Sequence, residues 1–317
     1  MQALRRTLLP CLAAAILLIG ATPQSAHDDF NRFGRDFSSL NVFGDSLSDP
    51  GNKFVLAGGT NSAPWAPIPE LPYESRRFTN GKTWIELVAK ETRNRRGGLP
   101  AYRSSWFTNY AVAGARASDS KQDEVNFADQ VTRHLEATGG VADPNGLYVV
   151  QFGGNDIRDA LEAAQLGADP TAVIGGAIQE LAQNIGILAQ AGAKKFLVAN
   201  APNLGKVPVI MAIGASAPAE QLSAGYNAAL DGLLVQLAQS GLEIYRVDLF
   251  SFVGGAVEIP QAFGIADAAT PCLQVFTPPA TGVCDDPDQR LFWDGIHPTR
   301  AGHRLLSSIA LNALSLD

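Results

Sequence analysis

Five short apolar runs punctuate the chain, at 40–43, 107–112, 147–152, 195–199 and 243–247, each bounded by Gly, Pro, Asn or Asp. They are rich in β-branched and aromatic residues and show no polar alternation, the pattern of strands covered on both faces. Between them, 83–91, 124–137, 172–191 and 219–239 have helical spacing, and 300–314 predicts a closing helix. Pro218 precedes the fourth of these, and Gly241 follows it as a C-cap. Strand and helix alternate, which predicts an α/β domain: a three-layer α/β/α sandwich around a five-stranded parallel sheet. In such sheets the ligand site lies outside the carboxyl ends of the strands. The segments after strands one, two and three are therefore where chemistry is expected.

The N-terminus is set apart from that pattern. Arg5 and Arg6 precede an almost unbroken apolar run, 8–20, followed by small and polar residues up to Ala26. This is the plan of a secretory signal peptide, and the run falls short of the ~18 to 20 apolar residues that span a bilayer. Cys11 precedes most of the run instead of ending it, which argues against a lipoprotein signal. Residues 1–26 are read as the signal and 27–317 as one domain, exported to the periplasm or medium and without a stable membrane span. Of three cysteines, Cys272 and Cys284 then remain. In an oxidising compartment such a pair joins or stays as buried free thiols. A bridge closing so short a loop would contribute about 3 kcal/mol.

Charge narrows the function classes. The chain carries a formal −7, and losing Arg5 and Arg6 with the signal takes it to −9. That sign repels phosphate backbones at long range, so no nucleic-acid partner is expected. Arg93, Arg95 and Arg96 form a small basic cluster that solvates a helix end. No linker, low-complexity tract or repeat divides the remaining 291 residues.

Four segments carry chemistry. After the first strand comes Gly44-Asp45-Ser46-Leu47-Ser48-Asp49, where a serine on a glycine-flanked turn can expose its hydroxyl and aim its own N–H at a developing oxyanion. After the second comes Ala113-Gly114-Ala115, where glycine permits close backbone approach. After the third comes Gly153-Gly154-Asn155-Asp156. Asn155 can either aim its amide NH2 at a reacting oxygen or simply N-cap the next helix. Near the end lies Asp294-Gly295-Ile296-His297-Pro298. An acid three residues before a histidine can fix its tautomer and leave the other ring nitrogen to take a proton from a serine. Of four histidines, His27, His134 and His303 read as solvated or core residues.

In this order the four segments resemble blocks I, II, III and V of the GDSL or SGNH hydrolases, from Phe43 to Ile309. The resemblance implies the flavodoxin-like SGNH fold, with Ser46 as nucleophile, His297 as base and Asp294 as orienting acid. It implies an oxyanion hole made of the N–H of Ser46, the N–H of Gly114 and the side chain of Asn155, and neither metal nor cofactor. Block II has Ala113 where many relatives carry a second glycine. The segment from Arg77 to Trp84 and the loop between Cys272 and Cys284 look like the longer secreted bacterial lipases and lysophospholipases. Autotransporter esterases are also similar but continue into a membrane barrel, which is not expected here.

The implied function is a secreted serine ester hydrolase acting through an acyl-enzyme on Ser46, its substrate a small-molecule or lipid ester such as a lysophospholipid. Acetyl esterase action on carbohydrates and acyl transfer to another alcohol are alternatives with the same triad. A non-catalytic binding module is the alternative of another class. Gly81-Lys82-Thr83 is no phosphate loop, because position 76 is arginine and not glycine. No G-x-S-x-G elbow is present. Apolar residues ahead of the His297 segment, among them Leu249, Phe252, Val253, Leu273, Val275 and Phe276, are expected to border an acyl pocket.

Overall fold

The computed structural model describes residues 37–59, 72–121, 124–274 and 282–315. The expected signal segment, with Cys11, and also His27, Val275 and Phe276 lie outside the described residues. Four strands, β1 (Leu40–Gly44), β2 (Leu147–Gln151), β3 (Lys195–Ala199) and β4 (Glu243–Val247), form one parallel sheet in sequence order. Leu40 pairs with Leu147, Leu147 with Lys195 and Lys195 with Glu243, so the carboxyl ends align along one edge. Every residue of β1 and β2 is buried, as apolar runs covered on both faces require. β4 is half-open, with Glu243 and Arg246 exposed, charges that discourage further strand pairing at an edge.

The fifth expected strand, 107–112, is not a strand but an interrupted partner of β1. Val42 donates to Thr108, Tyr110 donates to Val42 and Val112 donates to Gly44. The rung that would extend this ladder from Gly44 N–H goes instead to the side-chain oxygen of Gln130, at 2.9 Å. The Gln130 amide NH2 returns to the Gly44 carbonyl, and only one bridge, Val42 to Asn109, survives.

Helices cover the sheet in two groups. α1 (Trp84–Glu91) packs against α2 (Arg300–Ser315), while α3 (Phe127–Ala137), α4 (Gly154–Gln165), α5 (Pro170–Ala191) and α6 (Ser216–Gln239) pack among themselves. Local sequence sets their ends. Asn126 and Asp129 make a capping box for α3, and Asp169 with Pro170 starts α5. Gly241 turns left-handed just after α6. α5 is the one described helix long and apolar enough to cross a membrane, and its Ile174, Leu181, Ile185 and Leu188 are spent in the core. Leu249–Glu258 is also helical, where the sequence reading expected only an apolar connection.

Candidate active site

The site sits where the sheet's carboxyl ends open. Ser46 occupies the turn two residues beyond β1, held by Asp45, whose carboxylate accepts from Leu47 N–H at 3.0 Å and whose carbonyl accepts from Ser48 N–H. The turn is locked onto the 107–112 segment by amide side chains. Asn52 donates to the Asn109 and Ala111 carbonyls, and Asn109 donates to the Ser48 carbonyl. Asp49 gathers the N–H groups of Gly51, Asn52, Lys53 and Ala113. Burial pushes the carboxyls of Asp45 and Asp49 up to about 6, against the amides that donate to them.

Ser46 Oγ lies 2.9 Å from His297 Nε2, and His297 Nδ1 lies 2.8 Å from Asp294 Oδ2. Asp294 is fully buried. Burial alone would raise its carboxyl, but a charged His297 ring, the ring hydrogen bond and the N–H groups of His297 and Ile296 outweigh it and hold it below the ordinary carboxylate value. The Phe78 ring covers the imidazole at 5.3 Å between centroids. Thr79 donates to the Pro298 carbonyl, and Asn80 accepts the N–H of Arg300 at the start of α2. The segment from Arg77 to Trp84 thus buttresses the histidine turn. His134 and His303 are buried away from this chain of contacts, His303 accepting the N–H of Trp84.

Gly114 adopts φ +90°, which an L side chain rarely does, and a Cβ there would stand 3.2 Å from the Glu124 carboxylate. Arg116 fixes the turn by donating to the Gly114 carbonyl while pairing with Asp159 of α4. Asn155 is not a helix cap. The cap position of α4 is Gly153, at φ +117°, where a Cβ would strike the Tyr226 ring at 2.7 Å. Asn155 lies in the first turn and gives one amide hydrogen to the Ala115 carbonyl at 2.8 Å, so its other hydrogen remains available. Among the described residues neither Ser46 N–H nor Gly114 N–H has a partner.

Ser46, Asn155 and His297 line one cavity whose walls are otherwise mainly apolar, from Leu47, Val207, Ile210, Leu249, Phe252 and Val253. Arg158, exposed and with no carboxylate partner among the described residues, adds a positive charge to that lining. Leu273 does not border this cavity. It belongs to a separate cluster with Tyr73, Cys272 and Trp293. Cys272 and Cys284 are joined in a disulfide. Among the described residues no group of three or more His, Cys, Asp or Glu could hold a metal.

Three contacts escaped the sequence reading. Tyr73 donates to Asp294 at 2.8 Å, Gln130 replaces a sheet rung at Gly44, and Phe78 covers His297. None has a local signature in the sequence, since each depends on a partner far away in the chain.

The model of the GDSL-like lipase/acylhydrolase family matches residues 40–309. Lipase 1 of Photorhabdus luminescens is 33% identical over 179 residues, covering 55% of this chain and 24% of its own length. A phosphatidylcholine-sterol acyltransferase of Aeromonas hydrophila is 27% identical over 320 residues, covering 86% of this chain and 89% of its own. The chain spans 49% of an uncharacterised Pseudomonas putida relative. Among solved structures, LAE5, an alpha/beta hydrolase enzyme from the metagenome of Lake Arreo, Spain, aligns with a TM-score of 0.49 at 14% identity, over 89% of this chain and 97% of that one.

Proposed function

Since the chain belongs to the GDSL-like lipase/acylhydrolase family, we propose that it is a secreted serine ester hydrolase acting on acyl esters of lipids or lysophospholipids. One observation carries this reading: the unbroken contact from Ser46 through His297 to Asp294, opening on a cavity with apolar walls. Export is supported by the apolar N-terminal run after Arg5 and Arg6 and by the Cys272–Cys284 disulfide. One domain is proposed for 27–317.

In the proposed reaction the acyl chain enters the cavity and the ester carbonyl carbon meets Ser46 Oγ. His297 Nε2 takes the serine proton as the C–O bond forms, while Asp294 stabilises the imidazolium. The oxyanion receives the N–H of Ser46, the N–H of Gly114 and the free amide hydrogen of Asn155. His297 then returns the proton to the departing alcohol, leaving an acyl-enzyme. A water molecule, deprotonated by the same nitrogen, releases the acid and restores Ser46. Arg158 favours a headgroup bearing phosphate, because a guanidinium matches phosphate geometry.

A panel of purified esters of graded acyl length and headgroup tests the substrate reading. Lysophospholipids and medium-chain esters should exceed acetyl esters in kcat/KM. A preference for acetylated sugars would overturn the lipid assignment and leave the serine mechanism standing.

A further inference from the structure

The Asp294 carboxylate has room for four donors, and four are present. Oδ1 accepts the N–H groups of Ile296 and His297, each at 2.7 Å. Oδ2 accepts His297 Nδ1 at 2.8 Å and the Tyr73 hydroxyl at 2.8 Å. The two backbone donors fix how the carboxylate is turned. The tyrosine and the imidazole then share a single oxygen.

Tyr73 is itself held from several sides. Its ring meets Trp293 edge-on, with centroids 6.0 Å apart, and is buried with Cys272 and Leu273, while Cys284 packs against this cluster. Cys272 and Leu273 donate their N–H groups to the carbonyls of Phe292 and Trp293, and Trp293 donates to the His297 carbonyl. Cys272 and Leu273, at the disulfide, are therefore stitched onto the residues leading into the Asp294–His297 turn, with Tyr73 packed against them.

We propose that Tyr73 is a positioning residue of the site, its hydroxyl setting how much negative charge Asp294 Oδ2 presents to His297, with Leu273, Trp293 and the Cys272–Cys284 disulfide holding the ring in place. The inference rests on the serine-hydrolase reading. A neutral O–H donated to a carboxylate disperses its charge without giving up the proton. Burial and the neighbouring Asp294 push the Tyr73 phenol far above its ordinary range, so it remains a donor throughout the working pH range. Less charge on Oδ2 means a weaker pull on the Nδ1 proton. Asp45 and His303 also lie within electrostatic reach of the His297 ring, and among the described residues neither hydrogen-bonds Tyr73.

Tyr73→Phe removes one hydroxyl and leaves the ring. It should leave KM unchanged and act on the pH profile. The acid limb of the kcat/KM profile should move to higher pH. Site-specific 3,5-difluorotyrosine at position 73, a stronger donor with the same shape, should move that limb the opposite way. A purely structural tyrosine would move neither. The proton NMR resonance of His297 Nδ1–H gives a readout that needs no turnover, and it should shift downfield in Tyr73→Phe as Oδ2 becomes the stronger acceptor. An unmoved acid limb and an unmoved resonance in a folded variant would overturn the inference. Wild-type protein that turns over no ester, with the resonance still shifting, would instead count against the hydrolase reading alone.

Discussion

Ser46 and His297 are separated by 251 positions in the chain, yet Oγ and Nε2 stand 2.9 Å apart. The sheet makes this possible. β1 delivers the serine to its carboxyl edge, and the turn preceding α2 returns the histidine to the same edge, braced there by Thr79, Asn80 and Phe78.

The oxyanion assignment of Asn155 can be separated from a structural one. Asn155→Ala should reduce kcat by about 10²–10³, the usual cost of losing one such donor. Melting temperature should fall little, because the side chain makes one hydrogen bond, to Ala115, and caps nothing. Near-normal kcat with a clearly lowered melting temperature would return Asn155 to a structural role.

Acyl preference should follow the cavity wall. Each methylene buried there is worth about 0.8 kcal/mol, so excluding two of them costs more than about tenfold. Val253→Trp fills part of the lining and should depress kcat/KM for medium-chain esters while sparing acetyl esters. Equal losses on both would show that the chain binds elsewhere.

Reduction of Cys272–Cys284 should slow all chain lengths alike. The bridge lies in the cluster with Tyr73 and Trp293 and does not line the cavity at Ser46, so its influence should run through Asp294. The double variant Cys272→Ala, Cys284→Ala should also lose stability of about 3 kcal/mol, read by denaturant unfolding. A loss confined to long-chain esters would place the loop against the substrate instead.

Stability should depend on pH through the buried carboxyls. Asp45 and Asp49 hold their protons up to about 6 in the folded chain, above the ordinary value of 3.8. Between those values the folded state binds more protons than the unfolded one, so their contribution to stability falls as pH rises through that window. Asp294 works in the opposite sense: its contribution is present above its unfolded value and is lost as pH falls through its lowered folded one. Asp45→Asn keeps an acceptor for Leu47 N–H and removes one titrating group. It should shrink the drop in melting temperature between pH 4 and pH 7. An undiminished drop would contradict the buried-charge account of Asp45.

What could be read from the chain and what could not divide along physical lines. Ser46, Gly114 and Asn155 follow strands or strand-like runs directly, and Asp294 and His297 are three residues apart, so local pattern suffices to find them. The 107–112 segment carries every mark of a strand, but side chains take its rungs: Gln130, arriving from α3, takes the Gly44 N–H, and Asn52 and Asn109 take backbone groups of the segment itself. The helix at Leu249–Glu258 buries Leu249, Phe252, Val253 and Ala256 at helical spacing, a pattern that apolar Phe250 and Val257 and the helix-weakening Gly254 and Gly255 blur in the sequence. Tyr73 was invisible for another reason. Its meaning lies wholly in a contact with a residue 221 positions away.

The central claim is that Ser46 becomes acylated, and an alkyl p-nitrophenyl phosphonate tests it most directly. The account predicts one phosphonyl group per folded chain, located on Ser46 by peptide mass spectrometry, with matching release of nitrophenolate and none from Ser46→Ala. An adduct on another residue, or full ester turnover by a folded Ser46→Ala protein, would contradict it.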